Sequence, residues 1–227
     1  MAIGSVIRSV VRPSVATSAG AYSSPTPSYV IDFAQNYAII NRVNVGAVAN
    51  IPSLSGTLNL VATGQRIAGA ANGLIIPLSG VTYPLTWLVG FIRSTDSGGT
   101  EVVALLDSGS AANMTLYRID AADQLRLRVD ASSANQCNVG GGTIMTSVPT
   151  SLQRAAGRIA ANSVQNCRNG TLGTEDTSVT LPTDPTRLIV GVDSAGARTF
   201  DGDIAFIKIF AGAAANATLQ GLTSGLA

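Results

Sequence analysis

The chain has 227 residues, a formal net charge of +1 and only 12% charged residues against 46% hydrophobic ones. That length suits one all-β domain, since sandwiches run to about 200–250 residues without splitting, and the near-neutral balance argues against a direct nucleic-acid partner. With no histidine in the chain, Ser-His-Asp and Cys-His nucleophiles, histidine zinc sites and the commonest general base are all excluded.

From the N-terminus, residues 1–28 read as an arm and hinge. Ile3, Val6, Ile7, Val10 and Val11 recur at helical spacing, Arg8 and Arg12 fall on another side, and Pro13 stops any helix that forms. A secretory signal would place its positive residues before the apolar stretch, whereas Arg8 and Arg12 lie inside and after it. The segment is therefore expected to remain as an arm, short-helical or extended, that packs on its own sandwich or on a neighbouring subunit. Ser23 to Ser28, with Pro25 and Pro27, forms the hinge.

Residues 29–227 read as a single sandwich. Glycines and prolines fall between short apolar runs at strand spacing, from Gly56 and Gly64 through Gly80 with Pro84 to Pro182 and Pro185. Gly73 to Pro77 and Leu85 to Ile92 are far shorter than the roughly 18–20 residues of a membrane span, so both read as buried strands. Leu125, Leu127 and Val129 alternate with Arg126 and Arg128, the signature of a strand with one buried face. Arg118 joins those two arginines in a small stripe, and Arg154 with Arg158 makes another; both are expected to be solvated or to sit at an interface. Cys137 and Cys167 are expected to be free thiols, with pairing across the sandwich as the alternative.

Near the C-terminus, Asp201-Gly202 reads as a turn. Ala205, Ile207 and Ile209 then alternate with Phe206, Lys208 and Phe210, which predicts a strand showing two faces. After Ala211-Gly212, the Ala-rich piece carrying Leu219 and Leu222 predicts one or two helical turns on a sheet edge.

Gly202, Ile204, Ile207, Lys208, Ile209 and Phe210, followed by Leu219 and Leu222, resemble the closing strand and turn of the laminin G-like, or concanavalin A-like, jelly rolls. Pro84 to Arg93 is similar to the first central strand of that family, with its tryptophan displaced to Trp87. Ala104 to Val129 is similar to its hairpin series, Val164 to Gly170 to its strand with an Asn-Gly turn, and Arg187 to Val192 to the strand before its last hairpin. The family's acidic pair is replaced by Ala205 and Phe206. The resemblance implies an antiparallel jelly-roll β-sandwich, in which a sugar can be bound on a face or rim.

Chemistry is sparse. Glu101 and Glu175 are the only glutamates and lack the spacing of a glycosidase pair, so the chain is expected not to be an enzyme. No cofactor is expected. A structural calcium would draw on Asp193, Asp201 and Asp203, for which solvated turn aspartates are the default reading. Three functions remain, of which a glycosidase is the weakest for want of a carboxylate pair. One is a structural virion protein, a capsid decoration, collar or tail component of a bacteriophage assembled in the host cytoplasm. The poverty of charge implies a surface covered by other virion proteins or by copies of itself, docked through the arm and the outward Phe206 and Phe210. The alternative is a glycan-binding module for surface attachment, for which Tyr22, Tyr29, Tyr37, Tyr83, Tyr117 and Trp87 are the aromatics able to stack on a sugar, although Trp87, in an apolar strand, reads as core.

Overall fold

A computed structural model of the chain describes residues 25–48, 51, 54–69, 72–140, 149 and 151–225. The arm positions Ile3, Val6, Ile7, Val10 and Val11 lie outside the described residues. Among the described residues the chain opens with β1 (Tyr29–Asp32), β2 (Tyr37–Ile40), β3 (Val43–Gly46), β4 (Ser55–Gly56), β5 (Leu60–Val61), β6 (Gly64–Ala68) and β7 (Leu74–Pro77). Its middle forms β8 (Leu85–Arg93), β9 (Glu101–Asp107), β10 (Met114–Ile119), β11 (Leu125–Ala131) and β12 (Ala134–Gly140). It closes with β13 (Gln153–Ala160), β14 (Ser163–Arg168), β15 (Thr171–Leu172), β16 (Arg187–Val190), β17 (Asp201–Ala211) and helix α1 (Asn216–Ser224).

These strands form two antiparallel sheets packed face to face, an all-β jelly-roll sandwich. The larger sheet runs β15-β14-β13-β8-β17-β1-β2-β3, with β6 also on β17 and β5 on β6; the seven-stranded sheet runs β12-β11-β10-β9-β16-β7-β4. The eleven residues of β17 explain the branching. One side pairs with β8 along its length, while the other serves β6 over Asp201 to Ile204 and β1 over Phe206 to Ile209. Between those two partners the register shifts at Ala205, whose carbonyl accepts from the amides of Phe33 and Ala34. Strict alternation would put Ile204 and Ile207 on opposite faces. The bulge turns both inward, so the central strand fills the core on either side of it.

The core between the sheets is closed by Trp87 of β8 stacked on Tyr117 of β10, with ring centroids 4.6 Å apart. Gly157 lies opposite Trp87 on β13. A Cβ there would stand 2.7 Å from the Tyr117 hydroxyl and 2.6 Å from Leu127, so the absence of a side chain lets both residues reach the larger sheet. Leu125, Leu127 and Val129 enter the same core, as their alternation predicts.

Three expectations need correction. Asp201-Gly202 is not a turn: both residues are in β17, and glycine is required at 202 because a Cβ would fall on the carbonyl oxygen of Ile92 and against the Phe200 ring. The run at β7 is half-buried, with Leu74 and Ile76 inward and Ile75 outward, because only one face of its sheet meets the core. Finally, α1 is longer than expected, at nine residues, and lies across a face of the larger sheet instead of its edge. Leu219 and Leu222 of α1 pack there on Leu88, Ala156, Cys167 and Phe210, one residue from each of β8, β13, β14 and β17. Thr223 Oγ1 locks the helix down by accepting the Gly170 amide at 2.9 Å and meeting Cys167 Sγ at 3.2 Å. At its start, Arg158 bonds the Ala214 carbonyl and the Asn216 side chain.

Candidate binding cleft

The other outer face of the sandwich, on the seven-stranded sheet, has no helix over it among the described residues. Sending Leu125, Leu127 and Val129 to the core leaves Arg126, Arg128 and Asp130 of β11 outward. Their partners on β10 are Arg118, Leu116 and Met114, and those on β9 are Val102, Leu105 and Asp107. Three rows therefore cross the face. Arg126, Arg118 and Val102 form the first; Arg128, Leu116 and Leu105, continued by Ile189 of β16, form the second. Asp130, Met114 and Asp107, continued by Arg187, form the third. Val102, Leu105, Leu116 and Ile189 form an apolar patch with Arg118 and Arg126 on one side and the ion-paired Asp130, Asp107 and Arg187 on the other.

The connection from β16 to β17 rises over one side of this patch. The Asp193 carboxylate accepts the amides of Ala195 at 3.1 Å and Ala197 at 2.8 Å, folding the segment into a tight loop. A parallel bridge between Val102 and Thr199, with the Val102 amide on the Arg198 carbonyl, ties the loop to β9. Between loop and sheet is a cleft of about 340 Å³, floored by Val102, Leu105 and Leu116 and bordered by Arg118, Arg128 and Arg198. That volume is in the range of small-ligand sites, and a mostly apolar floor with a few polar groups is their usual composition.

The cations of this face are not equivalent. Arg126 is paired with Asp120 at 2.9 Å. Arg128 engages Asp130 through Nε alone, at 2.8 and 2.9 Å to the two carboxylate oxygens. Arg198 is 58% exposed and reaches Asp193 only at 3.9 Å. Arg118 has neither an ion pair nor a hydrogen bond among the described residues, and its Nε is buried without a partner. Burial first, then the neighbouring Arg128, lowers the Arg118 pKa below that of a free guanidinium. It still carries its charge at neutral pH.

The remaining candidates are engaged elsewhere. Asp201 and Asp203 share one face, as their spacing predicts, but both point at Arg66, at 2.9 and 3.4 Å, and accept from Thr95 and Thr63 respectively. Asp193 is occupied by its loop, so the three aspartates proposed for calcium do not converge. Among the described residues no three acidic or cysteine side chains gather as a metal site. Glu101 is buried and held by Arg93 at 3.0 and 3.1 Å, while Glu175 takes Arg158 at 2.7 Å and Ser163 at 2.6 Å. Cys137 and Cys167 are both free and buried. Of the aromatics able to stack on a sugar, Trp87, Tyr29 and Tyr117 are core residues, Tyr37 and Tyr83 are half-buried, and Tyr22 lies outside the described residues. Phe210, expected to face outward toward a partner, does leave the main core, but at 3% exposure it is covered by α1; Phe206 packs partly on the same cluster. The sequence marked the Arg118 stripe but not Arg198 or the apolar floor, which only strand register brings together. Among the described residues no helix is long and apolar enough to cross a membrane.

The two antiparallel sheets define a jelly-roll β-sandwich. No family model matches the sequence, and no curated protein does. Solved structures share its fold. Domain 4 of AbnA, an extracellular GH43 arabinanase of Geobacillus stearothermophilus solved with arabinotriose, superposes with a TM-score of 0.61 at 14% identity, over 88% of this chain and 100% of that one. The CBM40 of Ruminococcus gnavus IT-sialidase gives 0.51 at 10% identity, over 61% of this chain and 82% of that one; it is also solved bound to α2,3-sialyllactose. Trypanosoma rangeli sialidase gives 0.64 at 12% identity over 94% of this chain, which spans only 35% of that enzyme. Identities this low speak for the fold alone.

Proposed function

We infer that the chain is a non-enzymatic saccharide-binding module whose site is the cleft between the 193–199 loop and the outer face of β9, β10 and β11. The observation that carries this reading is the cleft itself, an apolar floor ringed by polar and cationic side chains on a rigid sheet. Two similar sandwiches that are modules of carbohydrate-active enzymes were solved with saccharides bound, which supports the same reading. Binding fits better than hydrolysis, because both glutamates are committed to arginines and neither faces a second free carboxylate. The virion reading has less behind it, since the outward Phe210 on which it leaned is covered by the chain's own helix.

A glycan microarray probed with the full chain tests this reading, with Ala197→Trp as the blocked control. Ala197 is exposed and lines the cleft, so a tryptophan there fills the site without touching the core. Selective binding of a subset of saccharides by the wild type, lost at least about ten-fold in Ala197→Trp at an unchanged unfolding midpoint, is the expected outcome. Silence across the array at high protein concentration, or undiminished binding by Ala197→Trp, contradicts it.

A further inference from the structure

We propose that the cleft selects saccharides bearing a carboxylate, which the unpaired guanidinium of Arg118 receives with Arg128 beside it and Arg198 closing from the loop. The inference rests on the saccharide-binding reading and adds the chemical class of the ligand.

The cations of this face are unevenly neutralised. Each arginine of the face could have been neutralised locally, and Arg126 and Arg187 are, by Asp120 and Asp107. Arg118 sits directly opposite Arg126 and diagonally from Arg128. Its other neighbour on the sheet, Val102, is the residue to which the Arg198 backbone is tied. Like charges side by side on a sheet are unfavourable, and a partly desolvated guanidinium without an acceptor costs more than an exposed one. Nothing in the packing requires this, since Arg118 is half-buried on the outer face and its inward neighbours Tyr117 and Ile119 supply the core contacts. An arrangement that costs folding free energy at the mouth of a cleft is what a site for an anion looks like before the anion arrives.

Geometry narrows the anion. Arg128 spends only its Nε on Asp130, and its two Nη groups make no hydrogen bond among the described residues. Two guanidinium forks at a diagonal spacing of about 7–8 Å on adjacent strands can share one small planar acceptor between their tips. The paired N–H groups of guanidinium match two oxygens of one acidic group, and of the groups they match, carboxylate is the planar one with a single charge, whereas lysine, a point charge, would serve any anion equally. The apolar floor of Leu105, Leu116 and Val102 leaves room beside the acidic group for the less polar face of a sugar ring.

Calorimetric titration of the full chain with 3′-sialyllactose, lactose and 6′-sulfolactose tests the proposal, in the wild type, Arg118→Met, Arg118→Lys and Arg198→Ala. Expected is a preference of at least about ten-fold for 3′-sialyllactose over lactose, abolished in Arg118→Met, only partly restored in Arg118→Lys and weakened two- to five-fold in Arg198→Ala. Arg198 is exposed, so its variant remains informative even if an Arg118 variant folds poorly. Raising salt from 50 to 500 mM should shrink the preference, because the pair is near the surface. Equal affinity for lactose and 3′-sialyllactose, or a preference that survives Arg118→Met, overturns the proposal while leaving the saccharide-binding reading standing. Tighter binding of 6′-sulfolactose overturns the carboxylate assignment, and no binding to any of the three, joined to a silent glycan array, removes both.

Discussion

The two outer faces of this sandwich are built from the same alternation and end in opposite states. On the larger sheet, Leu88, Ala156, Cys167 and Phe210 point outward and are sealed by Leu219 and Leu222 of α1. On the seven-stranded sheet, Val102, Leu105, Leu116 and Ile189 make a comparable apolar patch, yet what stands over its edge is a loop and a set of arginines. On the first face Arg158 holds the helix start and Glu175 through its Nη groups, with only its Nε left buried without a partner, and Thr223 holds the turn at Gly170. The second leaves Arg118 without an acceptor. Among the described residues, then, one apolar face is covered by the chain's own helix and the other lies beside an arginine without an acceptor, and the proposed function assigns stability to the first side and binding to the second.

The largest effect expected from breaking this division is on the covered side. Phe210→Ala removes the ring on which α1 rests and should lower stability by about 3–5 kcal/mol, read by urea denaturation, with cleft affinity intact in the protein that remains folded. Thr223→Val keeps the shape but leaves the Gly170 amide without its acceptor, for a smaller loss of about 1–3 kcal/mol. On the open side the sign changes. Arg118→Met should cost nothing and gain up to about 1 kcal/mol, because an unpaired, half-buried cation is removed; a loss above about 2 kcal/mol would make Arg118 structural.

The thiols report on the same contrast. Burial, with help from Asp176, pushes Cys137 up to about 12, and burial also raises Cys167. In the folded state both stay protonated and unreactive toward a thiol reagent at pH 8. Because both folded pKa values lie above the unfolded value of about 8.5, the stability they carry is complete below that pH and falls as pH rises above it, for Cys137 up to about 12. Loosening α1 with Leu222→Ala should expose Cys167 to the reagent well before Cys137, which packs in the central core. Equal labelling rates would mean that the helix and the sandwich open as one unit.

Much of this architecture was readable from local pattern. The alternation in Leu125 to Val129, the Asn169-Gly170 turn and the apolar run at Leu85 each encode a strand or hairpin within a few residues, and the structure keeps all three. Asp201-Gly202 misled because a glycine demanded by the close Ile92 carbonyl looks, in sequence, like one demanded by a turn. Phe206 and Phe210 showed that the strand has a second apolar face, but not that residues 219 and 222 would cover it. The cleft was half legible. Arg118, Arg126 and Arg128 stood out as a stripe, whereas which of them is neutralised depends on Asp120 and Asp130, and Arg198 arrives through a bridge to Val102 nearly a hundred residues away. Long-range register of that kind leaves no trace in spacing.

The most direct test of the account is a backbone-amide NMR titration of the full chain with 3′-sialyllactose. Shift changes confined to Val102, Leu105, Leu116, Arg118, Arg128 and the 193–199 loop, with the α1 face silent, are the expected result. Changes centred on α1 and its underlying strands, or none at millimolar sugar, would contradict it.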